Sequence, residues 1–348
     1  MGRIIVNAGT IKRRMSTAFE KVGVPAADAS VIAKTLVEAE AQGKESHGLM
    51  RFPALYDRVV KGTVTKAPNI VFTKLGTNLY SVDGDNALGA VLADRVMTTC
   101  TREAKEEGMA VAAVKNANHL GAAGFYTNKA ANEGMFAILA SNAGPAVAPA
   151  GGMSKLLGTS PMTVAFPAGK YGNFVLDIAT SASAMGKIIM YAKEGKSIPE
   201  GWAMDEEGND VTDARRAVEA FNKGVGILPM ASHKGMGISM VVDVLAGLLS
   251  GARFSYQVSN SFASSGVSGV GYFCLVLDIS RFMPLDQFQE KVEAWFDMLK
   301  ADTPRPGTQG VFIPGEMEAK RQKEAGDKLD VFDGTIAEIE KIEKELGL

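Results

Sequence analysis

Three histidines are the side chains of this sequence that are best suited to move a proton. His47, His119 and His233 are each flanked by small or polar residues, as is typical of loops. An unperturbed imidazole titrates near neutral pH and can take up and release a proton during a reaction. One such histidine could equally bond the backbone of its own loop, but three of them favour a functional interpretation.

A polar and basic cluster surrounds the first histidine. Ser46, His47 and Arg51 span about one and a half turns if the segment is helical. The planar guanidinium of arginine matches the two oxygens of a carboxylate, and the neighbouring groups can add hydrogen bonds. The spacing therefore predicts a site at which these three residues contact a small carboxylate.

His119 stands between a predicted strand and a predicted helix. Residues 109–114 form an apolar run before it, and the small residues 121–124 open the next helix after it. We therefore expect His119 at the edge of a sheet where ligands bind, with an imidazole that titrates near neutrality. Glycine at this point allows substrate or backbone to approach closely.

A metal site is the alternative interpretation of the histidines. Three imidazoles and a water can hold a catalytic zinc ion. The short-range ligand pair that is usual in such sites is missing, because the three histidines lie far apart along the chain. The sequence therefore predicts no metal. A zinc hydrolase and a ligand-binding protein without turnover are the competing functions.

Glycine- and proline-rich segments in the middle of the chain are suited to phosphate binding. Backbone amides, hydroxyl groups and a helix N-terminus can hold a pyrophosphate, although each segment alone could be an ordinary turn. The G-x-G-x-x-G fingerprint of a Rossmann site does not occur. The segments are Asn142 to Pro145, Pro149 to Gly152, Leu157 to Pro161 and Asp177 to Ser181.

Composition and charge exclude several classes of protein. A chain of 348 residues with 46% hydrophobic and 22% charged residues is typical of a globular protein. The net charge of -2, without a basic run, argues against nucleic acid as a partner. The most apolar segment, 235–252, contains Asp243 and is too short for a membrane span. Cys100 and Cys274 lie in apolar surroundings far apart, which favours a reducing, cytoplasmic location.

The hydrophobic periodicity divides the chain into three parts. Residues 1–62 show a helical pattern, strands alternate with helices from residue 69 to 280, and residues 281–348 are helical again. We expect a central α/β domain over 69–280 that binds cofactor and substrate, and a helical domain formed by 1–68 together with 281–348. Within the central part, residues 235–249 predict a buried apolar helix. Strands are predicted at 70–72, 109–114, 135–140, 162–166, 174–178 and 271–279.

The sequence resembles the type 2 malate/L-lactate dehydrogenase family, to which ureidoglycolate dehydrogenase, sulfolactate dehydrogenase and 2,3-diketogulonate reductase belong. The matching motifs follow one another through the whole chain. They are Ser46-His47-Gly48 with Arg51, Asn118-His119-Leu120-Gly121-Ala122-Ala123-Gly124, Pro149 to Gly152, Gly158-Thr159-Ser160-Pro161, Asp177-Ile178-Ala179-Thr180-Ser181, Pro199-Glu200-Gly201-Trp202-Ala203, His233-Lys234-Gly235 and Pro314-Gly315-Glu316.

The resemblance implies a non-Rossmann, sulfolactate-dehydrogenase-like α/β nucleotide domain, a nicotinamide cofactor and a homodimer. By position, His119 matches the family's general acid and base, and Ser46, His47 and Arg51 match its substrate-side residues. The cofactor positions of the family fall at Ala143, Ile178, Ala179, Thr180, Lys234, Pro314, Gly315 and Glu316, with Thr159 and Ser160 in the adjoining turn.

Some positions depart from the family pattern. Asparagine is usual where this chain has Ser160, and glycine is usual where it has Ser232. Ala143 offers only its backbone, although relatives can carry a hydroxyl there. These departures leave the reaction class unchanged but do not indicate whether NAD or NADP is preferred.

The resulting hypothesis is reversible hydride transfer between a nicotinamide and C2 of a small 2-hydroxy or 2-oxo carboxylate. Arg51 would pair with the carboxylate and His119 would exchange the hydroxyl proton. Reduction of a cyclic imine carboxylate is the main alternative, because some relatives catalyse it with the same kind of site. NAD is the expected cofactor, with NADP as the other choice.

Overall fold

Regular elements cover most of the chain in the structure, a computed structural model that describes residues 2–259 and 266–348. The helix His233–Val242 continues as a π-helical turn over Asp243–Leu248. The strands in the described residues are β1 (Arg3–Asn7), β2 (Val71–Lys74), β3 (Leu79–Asp83), β4 (Met109–Ala117), β5 (Met135–Ser141), β6 (Met162–Pro167), β7 (Asn173–Ile178), β8 (Val270–Asp278) and β9 (Lys328–Phe332). The α-helices there are α1 (Ala8–Lys21), α2 (Ala26–Ala41), α3 (Phe52–Val60), α4 (Gly89–Glu107), α5 (Gly124–Ala131), α6 (Met185–Glu194), α7 (Ala214–Asn222), α8 (His233–Val242), α9 (Leu285–Lys300), α10 (Glu316–Ala325) and α11 (Asp333–Leu346).

Seven of the strands form one sheet, in the order β2-β3-β4-β8-β5-β6-β7. β3 and β4 are parallel, and the other neighbouring strands pair antiparallel. β4 and β8 bury every second side chain over most of their length, because a strand turns successive residues to opposite faces. Helices α4 and α5 share the core beneath β3, β4, β5 and β8. The mixed α/β architecture expected from the sequence is confirmed, with an order unlike that of a Rossmann sheet.

The two ends of the chain meet in a separate hydrophobic cluster. β1 pairs with β9, and α1 packs on α2. Phe19 and Leu36 from the N-terminal helices lie in one core with Val331 and Ile339 from β9 and α11. Helix α9 packs elsewhere, where Val292 and the fully buried Phe296 contact the β6 and β7 side of the sheet. The proposed division at residues 68 and 280 stays a prediction.

Several predicted elements differ from the structure. Residues 3–7 form a strand, although a helical pattern was expected from the first residue, because β9 supplies a partner that is distant in sequence. Strand β3 and helix α7 were not predicted. Residues 235–249 are helical but buried along one face only, since Val242 and Ala246 are buried whereas Met240, Val244 and Leu248 are each about half exposed. No helix in the described ranges is long and apolar enough to cross a bilayer.

Candidate active site

The loop between α2 and α3 holds three of the predicted site residues together. It forms two short 3-10 turns, Glu45–His47 and Leu49–Arg51, joined by one glycine. The hydroxyl oxygen of Ser46 lies 3.0 Å from Nδ1 of His47. Nε of Arg51 donates a hydrogen bond to the backbone carbonyl of Ser46. The loop thus presents a hydroxyl, an imidazole and a guanidinium from two adjoining turns.

His119 lies two residues beyond β4, at the carboxyl end of a central strand. The preceding Asn118 is buried, and its side-chain amide donates to the backbone carbonyls of Asn86 and Ala87. The backbone N–H of Gly121 donates to Nδ1 of His119 at 3.2 Å. Because Nδ1 accepts this bond, the neutral ring carries its proton on Nε2. Gly121 has φ +82°, a conformation that glycine adopts without strain.

The rings of His47 and His119 stack on each other, with centroids 5.4 Å apart and planes inclined by 24°. Burial, reinforced by the charge of Arg51, lowers the pKa of His47 to about 4. Burial also holds the pKa of His119 well below its usual value, and His47, Arg51 and Arg58 act in the same direction. The expectation that His119 titrates near neutrality is therefore wrong for the ligand-free protein, in which both imidazoles are neutral at pH 7.

A narrow pocket of about 20 Å³ lies behind the two rings. Arg51 borders it, and burial lowers the pKa of this guanidinium. A cation that has lost hydration gains most from a bound anion. The apolar part of the pocket wall is formed by Ile32, Leu36, Leu55, Leu88 and Ala90.

A larger cleft of about 290 Å³ also borders both histidines. It contains residues that were assigned to the substrate and residues that were assigned to the cofactor. One cavity is therefore lined by both sets. The predicted residues that line it are Ser46, His47, His119, Ala143, Thr159, Ile178 and Ala179.

Close backbone contacts build the wall of this cleft. A Cβ on Gly158 would lie 2.5 Å from the carbonyl oxygen of Ala143, so only glycine fits there. The backbone N–H and the hydroxyl of Thr180 both donate to the carbonyl of Thr159, at 2.8 Å and 2.9 Å. Ser239 of α8 donates to the carbonyl of Gly158 at 3.4 Å. These contacts bring three sequence-distant segments to one surface.

Six of the ten predicted cofactor residues do not line the larger cleft, and three of these six are Ser160, Thr180 and Lys234. Ser160 and Thr180 are fully buried, and Ser160 has φ +35°. Lys234 is exposed in the first turn of α8. The residues just before this turn lie beside the cleft wall, because the N–H of Met230 donates to the carbonyl of Thr180. Ser160 and Thr180 therefore shape the wall from behind, whereas the side chain of Lys234 is accessible to a ligand.

A second cleft of about 260 Å³ contains Gly315. The carbonyl of the preceding Pro314 accepts a hydrogen bond from Val175 in β7. Both clefts are lined by Lys44 and Asp177, which form an ion pair with Nζ 2.5 Å from Oδ2. The predicted cofactor positions are thus divided between two clefts that share this ion pair. Glu316, the last residue of the Pro314-Gly315-Glu316 motif, pairs with Lys300, whose Nζ lies 2.7 Å from each carboxylate oxygen.

A family model described as malate/L-lactate dehydrogenase matches residues 6–340. The chain belongs to this family. The expectation of a dehydrogenase is confirmed, and so is the resemblance seen in the motifs.

Individual members of the family match over nearly the whole chain. Malate dehydrogenase of Pyrococcus horikoshii is 37% identical over 94% of this chain and 91% of its own. Ureidoglycolate dehydrogenase (NAD(+)) of Escherichia coli K12 is 30% identical over 94% of this chain and 93% of its own. The solved structure of sulfolactate dehydrogenase from Methanocaldococcus jannaschii superimposes with a TM-score of 0.93, 33% identity, and coverage of 99% and 98% of the two chains.

The site of this family member also contains residues to which the sequence analysis assigned no individual role. Lys44 and Asp177 line both clefts. Asn142 lines the larger one, where its side chain bonds the carbonyl of Arg253 and the N–H of Gly271. Lys44 lies two residues before Ser46 of the Ser46-His47 motif, and Asp177 begins another motif, so proximity to a motif was the available signal.

The three-histidine metal site is not formed. His233 is exposed at the start of α8, while His47 and His119 are stacked at the cleft. Within residues 2–259 and 266–348, no three His, Cys, Asp or Glu side chains come together as metal ligands would. The zinc hydrolase hypothesis therefore has no set of three histidine ligands to support it in the described residues.

Proposed function

We propose that this protein catalyses reversible hydride transfer between a nicotinamide cofactor, NAD or NADP, and C2 of a small 2-hydroxy or 2-oxo carboxylate. The observation that carries the proposal is the stacked pair His47 and His119, which lies beside Arg51 and lines the same cleft as Thr159 and Ile178. Proton-transfer groups, an anion-binding group and the predicted cofactor wall are thus adjacent.

Arg51 binds the substrate carboxylate in this proposal. Its guanidinium is partly desolvated, so pairing with a substrate carboxylate would replace lost hydration. Its position is set by the bond from Nε to the carbonyl of Ser46. The hydroxyl of Ser46 and the imidazole of His47 add neutral hydrogen-bonding groups beside it. Two charge-assisted bonds to a planar acid would fix the orientation of C2.

His119 exchanges the proton of the C2 oxygen. Nδ1 is bonded to Gly121, so Nε2 is the atom that would exchange the proton, and in reduction the protonated ring would donate it to the keto oxygen and become neutral. The positive charge of Arg51 lowers the pKa of His119 in the free protein. A bound carboxylate would offset that charge, so substrate binding itself would raise the pKa and favour the protonated ring. In the oxidative direction the neutral ring would accept the hydroxyl proton on Nε2, so its own proton would have to lie on Nδ1 at that stage.

The cleft has the residues that a nicotinamide cofactor needs. Apolar Ile178 and Ala179 can contact a flat ring, while Thr159 and Asn142 offer polar groups for its amide. Lys44 and the exposed Lys234 can approach phosphates. The bound nicotinamide would supply or accept the hydride at C2.

A screen of cofactor oxidation tests this function. Purified protein is mixed with NADH or NADPH and with pyruvate, oxaloacetate, sulfopyruvate, diketogulonate or a cyclic imine carboxylate, and absorbance at the reduced-nicotinamide band is followed. We expect turnover of at least one 2-oxo acid and its loss in His119→Ala. Turnover of the cyclic imine alone would assign the alternative reaction. Cofactor binding without turnover of any acid would indicate a binding protein.

We also infer that the protein is a homodimer whose second copy covers α8. Met240, Val244 and Leu248 form one stripe at helical spacing, and Val241 and Leu249 extend it, all about half exposed or more. Soluble monomers rarely leave such a contiguous apolar patch uncovered. Val244→Glu should convert a dimer into monomers in sedimentation velocity, whereas Lys341→Glu on α11 should not. A monomeric wild-type protein would overturn this inference.

We further propose a cytoplasmic location. Cys100 and Cys274 are both buried free thiols in the structure. Proteins that keep all of their cysteines reduced are typical of reducing compartments. Labelling with a thiol reagent after unfolding of protein from its source cells would detect two free thiols.

A further inference from the structure

Glu40 is a buried carboxylate beneath the loop that carries the substrate-side residues. It lies in the last turn of α2 and is 9% exposed. Its Oε2 accepts a hydrogen bond of 2.9 Å from the backbone N–H of Leu49. Leu49 begins the second 3-10 turn and is fully buried, so water cannot satisfy that N–H. Glu40 therefore caps this turn from a different element of the fold.

The contact is tight enough to determine a second residue. A Cβ on Gly48 would lie 2.0 Å from Oε2 of Glu40 and 3.2 Å from its Cα. Gly48 has φ -89° and ψ -146°, and this ψ lies outside the main β region, so both the steric contact and the backbone conformation favour glycine at this position. The glycine that separates the two turns is required because the backbone rests directly on the carboxylate.

We infer that Glu40 is a positioning residue, whose carboxylate fixes the loop so that Ser46, His47 and Arg51 face the substrate together. The inference rests on the function proposed above. The first turn ends at His47 and the second at Arg51, and Gly48 connects them. Loss of the bond to Leu49 would free the hinge between the two turns. A displacement of about 1 Å at reacting groups can cost roughly 100-fold in rate.

The surroundings of Glu40 show that its ionised carboxylate lowers the stability of the folded state. Burial raises the pKa of Glu40 to about 7, and the like charge of Glu45 acts in the same direction. Arg3 bonds both Glu45 and Asp330 nearby, and these are the charged groups that face Glu40 from the packed elements. A leucine at position 40 would fill this space without an ionisation cost, so the acceptor oxygen is the property that the loop requires.

Two substitutions separate the acceptor from the charge. Glu40→Gln keeps an oxygen that can accept from Leu49, whereas Glu40→Ala removes it. We expect Glu40→Ala to raise the KM for the 2-oxo acid by about 10- to 100-fold, with the affinity for NADH changed less than about twofold. Glu40→Gln should restore KM to within about threefold. Glu38→Ala, on the same helix and half-buried beside Lys34, is the control and should behave as wild type.

Hydrogen exchange tests the contact without any turnover. Peptides that cover residues 44–52 should exchange faster in Glu40→Ala than in Glu40→Gln or Glu38→Ala, with the rest of α2 unchanged. Unchanged exchange in Glu40→Ala would overturn the inference even if the enzyme is active. Failure of wild type to reduce any acid would instead overturn the proposed function. The role of Glu40 in holding the loop would then be judged from the exchange result alone.

A double substitution gives a second, independent check. Gly48→Ala alone should disturb the loop, because its Cβ collides with the carboxylate. Combined with Glu40→Ala, it should cost less than the sum of the two single changes, since the colliding group is gone. Additive effects on KM would show that the two residues do not act through one contact, and the inference would fail.

Discussion

His47 and His119 stack ring on ring in the lining of the cleft, although 71 residues separate them and they come from different parts of the fold. His47 is supplied by a 3-10 turn that follows α2, and His119 by the end of β4. Each ring shields the other from water. The stack therefore explains both the juxtaposition of the two imidazoles and their neutrality in the free protein.

The pH dependence of catalysis should reveal this neutrality. Since the pKa of His119 lies well below its usual value in the free protein, kcat/KM for oxidation should stay constant above about pH 6.5. In reduction the protonated ring is needed, so activity falls as pH rises through the pKa. A bound carboxylate offsets the positive charge of Arg51 and so raises the pKa of His119. The fall of the reductive kcat with pH should therefore lie at higher pH than the fall of kcat/KM. Coincident limbs in the two profiles would contradict substrate-induced proton uptake.

His119→Ala should lower turnover by roughly 10²- to 10⁴-fold, the usual contribution of general acid-base catalysis. Binding of NADH should be retained, because the ring is one of many contacts in a cleft of about 290 Å³. Stopped-flow rates and fluorescence titration measure the two quantities. A variant that keeps more than about a third of wild-type turnover, with an unmoved pH profile, would transfer the role to His47.

Arg51→Lys should raise KM for the acid and leave the dissociation constant of NADH nearly unchanged. Lysine retains the charge but not the planar pair of donors, and it cannot reproduce the bond from Nε to the carbonyl of Ser46. Steady-state kinetics and NADH titration on the same preparation give both values. An equal loss in the two would mean that Arg51 holds the loop and does not contact substrate.

Lys234→Ala should weaken NADH binding by about 1.5 to 3 kcal/mol, as for the loss of a charge-assisted hydrogen bond. Lys234 is exposed in the turn that packs on the Thr180 carbonyl through Met230, so its loss should not disturb the wall. Lys341→Ala, on the exposed face of α11, is the matched control. Calorimetric titration that gives wild-type affinity for Lys234→Ala would remove the residue from the site.

The core of the fold was predictable because its periodicity is local. Strands β4 to β8 and helices α4 and α5 carry clear alternating or helical patterns within a few residues. β1 escaped prediction because three apolar residues are too few to distinguish a strand, and its partner β9 is more than 300 residues away. The exposed face of α8 could not be predicted, because an apolar helix looks the same whether a core or a second chain covers it.

The site was predictable where residue type carries the chemistry. Histidine and arginine beside glycine indicated Ser46, His47, Arg51 and His119, and the structure brings them together. Glu40 and Asp177 were not assigned, because a glutamate on a helix and an aspartate at a strand end usually face solvent. Only the tertiary contacts with Leu49 and Lys44 distinguish them. The depressed pKa of His119 likewise depends on burial, which no local motif encodes.

Glu40→Gln should stabilise the protein at alkaline pH and not at acid pH. Burial raises the pKa of Glu40 from 4.5 to about 7, so the folded state binds a proton more tightly than the unfolded state. Wild type therefore loses stability as pH rises from about 4.5 to about 7, and the loss persists above that range. Glutamine does not ionise and avoids this loss. We expect a gain of about 2 kcal/mol at pH 8 and little change at pH 4.5, measured by urea unfolding. Equal stability of the two proteins at pH 8 would show that the carboxylate is not desolvated as described.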